Sequence, residues 1–116
     1  MGTENFEYDA IAVSQQLHVR PEVLKRIVIS FSKTLQEKIA GLQEAFNNGD
    51  VLKMRALLHE IRGTSGNLRL EKVYSTARVM HEAVKSGEDK NNVAQYFEGL
   101  KSSAAQLFEF AKREET

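Results

Sequence analysis

The sequence contains no cysteine and no tryptophan, and only one proline. Without cysteine there is no disulfide framework, no thiol nucleophile and no thiolate metal site. Pro21 stands alone and the seven glycines do not cluster, so no flexible linker divides the chain. Excess charge is missing as well: sixteen Lys and Arg balance sixteen Asp and Glu. A domain that coats nucleic acid needs a net basic surface, so that class of partner is excluded. No apolar run approaches the roughly eighteen residues of a membrane span. Residues 1–8 carry two acids and none of the apolar stretch that a secretory signal requires. These absences predict a cytoplasmic protein that works neither in a membrane nor on nucleic acid.

What is present is helical. The 116 residues, 41% hydrophobic and 28% charged, suit one domain spanning 1–116 with a single core. Apolar residues recur at helical spacing almost throughout. A short first helix is predicted over residues 8–18, ending before Arg20 and Pro21; Pro21 suits a first helical position, where no N–H is needed. Leu24, Ile27, Val28, Phe31, Leu35, Ile39, Leu42 and Phe46 then mark one face of a long second helix. Asn47-Asn48-Gly49-Asp50 stops it, with Asp50 placed to cap the third. The third helix turns Met54, Leu57, Leu58, Ile61, Ser65 and Leu68 inward. The fourth does so with Leu70, Val73, Ala77, Met80 and Val84, before a stop at Gly87. Asp89 caps the last helix, whose stripe is Val93, Phe97, Leu100, Ala104, Leu107 and Ala111. Four amphipathic helices with short connections predict an all-α fold, an antiparallel four-helix bundle with the short first helix packed over one end.

The third helix also carries residues that a merely structural helix avoids. At about 100° per residue, its apolar set centres about 150° from His59, which therefore points out of the bundle. Leu52, Arg55, Ala56, Arg62, Gly63 and Gly66 lie within about 60° of His59 on the same wheel. An exposed His is by itself an ordinary surface residue, and an exposed Arg is often only solvated. Two glycines inside one helix, however, cost about 1 kcal/mol each relative to alanine. Helical side chains lean toward the N-terminus, so the residue that would cover His59 is Gly63, which has no side chain. Arg55, Arg62 and Arg69 recur every seven residues and predict a cationic edge beside the imidazole. Guanidinium groups suit phosphate, which they bind through planar, charge-assisted hydrogen bonds. Leu52 offers a docking partner an apolar contact on the same face.

The run His59-Glu60-Ile61-Arg62-Gly63-Thr64-Ser65-Gly66-Asn67-Leu68 resembles that of a histidine-containing phosphotransfer (HPt) domain. Such domains carry a phosphoacceptor His followed by an apolar residue, a basic residue, Gly, and small residues up to an apolar one. Phe6-Glu7-Tyr8-Asp9 resembles the entry to the family's first helix, and Asn-Asn-Gly-Asp sits where the family turns before its phosphoacceptor helix. The family usually has Lys where Arg62 stands, and commonly Gly where Arg69 stands. The resemblance implies that His59 accepts and donates a phosphoryl group in a multistep phosphorelay, with Arg62 stabilising the phosphate and Gly63 leaving access. Leu52, Arg55, Ala56, Gly66 and Arg69 would then meet the partner, a receiver domain of a response regulator or a hybrid histidine kinase. The receiver would bring Mg²⁺ and the aspartate. The chain itself would be a monomeric, stoichiometric carrier without a cofactor, rather than an enzyme with its own turnover.

His81 lies about 60° from the centre of the fourth stripe and is expected as a boundary residue packing its ring, not a second acceptor. His18 sits at a helix C-terminus, where a cation favours the dipole. A metal-binding bundle needs inward carboxylates and Glu-x-x-His pairs. No histidine here has Glu three positions before it, so no metal site is expected. A helical module that docks a receiver or kinase without accepting phosphate is the alternative function.

Overall fold

Short acceptor side chains write the helix starts. In the computed structural model, which describes residues 8–115, Asp9, Asp50 and Asp89 each accept from a backbone N–H three residues on, at Ala12 (3.0 Å), Lys53 (3.1 Å) and Asn92 (2.9 Å). Each satisfies one of the donors that a helix N-terminus leaves unpaired. These caps open α1 (Ala10–Leu17), α3 (Val51–Asn67) and α5 (Lys90–Glu115). Pro21 opens α2 (Pro21–Asn48) as its first residue, and α4 (Glu71–Lys85) follows a three-residue turn. No strand occurs among the described residues, and no helix there is long and apolar enough to cross a membrane.

Four helices close into a ring in which α2 packs on α3, α3 on α4, α4 on α5 and α5 back on α2. Leu35, Leu42, Leu58, Ile61, Val73, Met80, Leu100 and Leu107 fill its axis and are all buried completely. Ion pairs from Lys25 to Glu114 and from Lys33 to Glu115, both 2.9 Å, join the first half of α2 to the end of α5, and the rings of Phe46 and Phe97 meet near the opposite ends, so the two run antiparallel. Such partly exposed pairs contribute at most a few tenths to about 1 kcal/mol each and serve register more than stability.

Lengths differ within the ring. At 1.5 Å per residue α2 reaches about 42 Å and α5 about 39 Å, whereas α3 reaches only about 26 Å and α4 about 22 Å. The long pair therefore overhangs the short pair, and α1 packs against the overhanging part of α2. Tyr8, just before α1, sets its ring edge-on to Phe110 of α5 at 6.0 Å and donates its hydroxyl to the Leu68 carbonyl at 2.8 Å. Burial pushes the Tyr8 phenol up to about 12, partly opposed by the charge of Arg69.

Several expectations need correction. The first helix is shorter than 8–18, because Asp9 caps it and His18 ends it in a left-handed conformation. Phe6 and Glu7 lie outside the described residues. Ile27 is 42% exposed instead of inward: α3 ends at Asn67, and beyond that end Ile27 forms the wall of an open groove with Phe31, Thr64 and Leu68. Leu68 and Leu70 are buried as expected but belong to the turn between α3 and α4, not to either helix.

Candidate functional site

The rotation of α3 is set by what it buries. Met54, Leu58, Ile61 and Ser65 face the core, with Leu57 half-buried beside them. His59 follows Leu58 by one residue and is carried to the solvent side, where it is exposed. Leu52, 76% exposed, and the exposed Arg55, Ala56 and Gly63 share that face with it. A Cβ placed on Gly63 would meet no atom within 4 Å, so nothing in the fold demands glycine there. The second glycine is different. A Cβ on Gly66 would stand 3.1 Å from the ring of Tyr74 on α4, so Gly66 is half-buried and lets the two helices approach. Ser65 serves the same seam: its hydroxyl is buried and returned to the Ile61 carbonyl at 2.7 Å.

The expected row of three arginines does not form. α3 stops two residues short of Arg69, which adopts φ 59° in the turn. Its guanidinium folds back on the carbonyls of Asn67 (3.1 Å) and Gly66 (3.4 Å), the last acceptors of the helix. Arg55 stays on the outer face. Arg62 turns to α4, with only 28% of its side chain exposed.

There it meets the residue that helical periodicity misjudged. His81 is buried, not a boundary residue, and its ring lies edge-on to that of His59 with centroids 6.2 Å apart. Arg62 Nη1 stands 3.2 Å from His81 Nδ1. A guanidinium carries only donors, so Nδ1 must be the acceptor and the neutral ring must hold its proton on Nε2. Burial holds the His81 ring below the usual histidine range, and the charges of Arg62, Lys85, His59 and Arg55 lower it further. Glu82 takes up the other side of Arg62 at 3.8 Å and is shared with Arg78 at 3.5 Å. On the opposite flank Lys38 of α2 pairs with Glu60, and that hydrogen bond and charge hold the Glu60 carboxyl below the ordinary range.

The site is thus an exposed imidazole, an oriented guanidinium one turn along, and a bare helix face between them and solvent. Sequence reasoning missed His81 and Glu82 as members. A single-helix wheel shows the angle of His81 from its own stripe, but not which neighbouring helix fills that angle. A model of the Hpt domain family matches residues 26–109. The chain belongs to the Hpt domain family. Searches of curated proteins and of solved structures returned no match. The matched segment of this Hpt domain takes in all of α3 and α4, and with them His59, Arg62, Gly63, His81 and Glu82. Hpt domains are histidine phosphotransfer modules of phosphorelay signalling, phosphocarriers rather than catalysts.

Proposed function

We propose that His59 is the phosphoacceptor of this Hpt domain and relays the group between receiver-domain aspartates as a stoichiometric carrier in the cytoplasm. The observation that carries this reading is the position of His59: exposed in mid-α3, inside the family-matched segment, and uncovered by Gly63. A neutral imidazole is a competent nucleophile near pH 7 without a base to activate it. The unprotonated ring nitrogen supplies the pair for the new N–P bond. The bond from phosphorus to the aspartyl oxygen breaks, and its pair leaves on the carboxylate. The proton on the other ring nitrogen stays with the ring or passes to water.

Phosphoryl transfer depends mainly on positioning and charge stabilisation, so one oriented cation is a sufficient contribution from the carrier. Arg62 fills that role. The receiver brings Mg²⁺ together with its aspartate. Leu52, Arg55 and Ala56 form the docking face beside the acceptor, while Gly66, in the last turn of α3, lets α4 approach and Arg69 closes that helix end from the turn.

The test is phosphorylation of the purified protein by phosphoramidate and by phosphorylated receiver domains, with the modified residue located by mass spectrometry. His59→Ala is expected to stay folded and accept no phosphoryl group. Phosphorylation of His59→Ala with none on His81→Ala would overturn the assignment, and a protein that binds receivers but never accepts phosphate would be a docking module instead.

A further inference from the structure

Burial and orientation make His81 an odd residue for a core. It is a polar ring in a buried position, it lies edge-on to the acceptor's ring, and its Nδ1 stands at hydrogen-bond length from the site's cation. A buried aliphatic side chain would fill the same space without the cost of desolvating a ring nitrogen. Unlike that aliphatic, the imidazole offers an acceptor at Nδ1. Arginine is long and rich in rotamers, so an unanchored guanidinium beside His59 would be spread over many positions. Glu82 alone is a loose anchor: it stands 3.8 Å from Arg62, is itself half-exposed, and also serves Arg78.

We infer that His81 is a positioning residue for phosphoryl transfer: its Nδ1 accepts from Arg62 and fixes the guanidinium where it meets the phosphoryl group on His59. This rests on His59 being the acceptor. His81 acts only through Arg62 and takes no phosphoryl group itself, since its ring is buried. The arrangement requires the neutral Nε2–H tautomer, because a proton on Nδ1 would set a donor against the guanidinium's own donors, and a proton on both nitrogens would add a second cation; either releases the arginine. Arg62, Arg55 and His59 from α3 and Lys85 from its own helix all favour that neutral form, while the adjacent Glu82 carboxylate, engaged with Arg62 and Arg78, acts the other way.

The experiment measures the rate of His59 phosphorylation by phosphoramidate. In that step ammonia leaves phosphorus as the N–P bond to the ring forms. The variants are His81→Leu, His81→Gln, Arg62→Ala and the double variant His81→Leu/Arg62→Ala. His81→Leu is expected to be slower by about tenfold, since a displacement near 1 Å at a reacting centre costs up to about a hundredfold. His81→Gln keeps a carbonyl acceptor and is expected to recover most of that rate. In the Arg62→Ala background, His81→Leu is expected to change nothing further, the signature of two residues acting as one unit. Additive losses, a parental rate in His81→Leu, or a His81→Gln protein as slow as His81→Leu would each overturn the inference.

A second measurement needs no variant to fold. Nitrogen NMR of the unmodified protein is expected to show His81 protonated at Nε2 and bare at Nδ1; the opposite tautomer overturns the inference outright. Loss of the acceptor reading has a different sign, namely phosphorylation persisting in His59→Ala. His81 variants that are phosphorylated to full stoichiometry at unaltered rates would sink this inference while leaving His59 in place.

Discussion

At residue scale the two glycines of α3 look alike in the sequence and are opposites in the structure. Gly63 faces open space and Gly66 faces the Tyr74 ring. Leucine is a far better helix former than glycine, so Gly63→Leu should raise stability by several tenths of a kcal/mol, up to about 1 kcal/mol. The new side chain would lean toward the N-terminus over the surface beside His59 and keep a receiver's aspartate from in-line distance. The expected result is an unchanged or higher melting temperature with phosphoryl transfer at least about tenfold slower, Gly63→Ala falling between. Gly66→Leu should instead lose stability, because the ring of Tyr74 is already at 3.1 Å from the first added carbon. Thermal melts and receiver-to-His59 transfer rates on the same preparations check both. Equal transfer by Gly63→Leu and the parent would dismiss the steric role.

The helix ends share one device. His18, Gly49, Arg69 and Gly87 all adopt positive φ, between 59° and 73°. In each case the next residue's N–H reaches back to a carbonyl five positions earlier: Val19 to Ser14, Asp50 to Ala45, Leu70 to Ser65, Glu88 to Ala83. This is the Schellman arrangement, which favours glycine because it alone carries no Cβ penalty. Gly49 and Gly87 were legible as stops for that reason. The end at His18 was legible from the break at Arg20 and Pro21 beyond it, not from His18 itself; the stop at Arg69 was not legible, because there the backbone overrides residue preference, and a heptad spacing extended the third helix through a residue that had already left it. At Arg69 a side chain accepts a conformation costing about 1–2 kcal/mol, offset in part by its hydrogen bonds to the last carbonyls of α3. Arg69→Gly is expected to raise stability by about 1 kcal/mol, read as a higher denaturation midpoint at constant slope. A lower midpoint would show that those hydrogen bonds outweigh the strain. The exposure of His59 and the bare face at Gly63 were readable from periodicity, because both lie on one helix. Partners on α4 were hidden, because they depend on how two helices rotate against each other.

For the whole molecule, the buried His81 links the site to acid stability. Its ring titrates below the usual histidine range when folded and near 6.5 when unfolded. The unfolded chain therefore binds more protons in that window, and stability falls as the pH drops below about 6.5, levelling off once the folded ring is protonated too. Above about 6.5 this contribution is complete. Urea midpoints from pH 7.5 down to 5 should thus decline in the parent and decline less steeply in His81→Gln. Matching slopes in the two proteins would place the acid sensitivity elsewhere.

The connections of two, three and four residues between α2, α3, α4 and α5 also govern the order in which the molecule comes together. Joining helices adjacent in the chain closes only a small loop, and small loops sacrifice little chain entropy; within the ring of α2, α3, α4 and α5 it is the α2–α5 seam that must bring distant segments together. His59, Arg62 and His81 all lie between residues 59 and 81, within a single hairpin of α3 and α4. The proposed phosphoryl-transfer site is therefore assembled from local contacts that can form before the bundle is sealed, and a transient parting of α2 from α5 is not expected to take it apart.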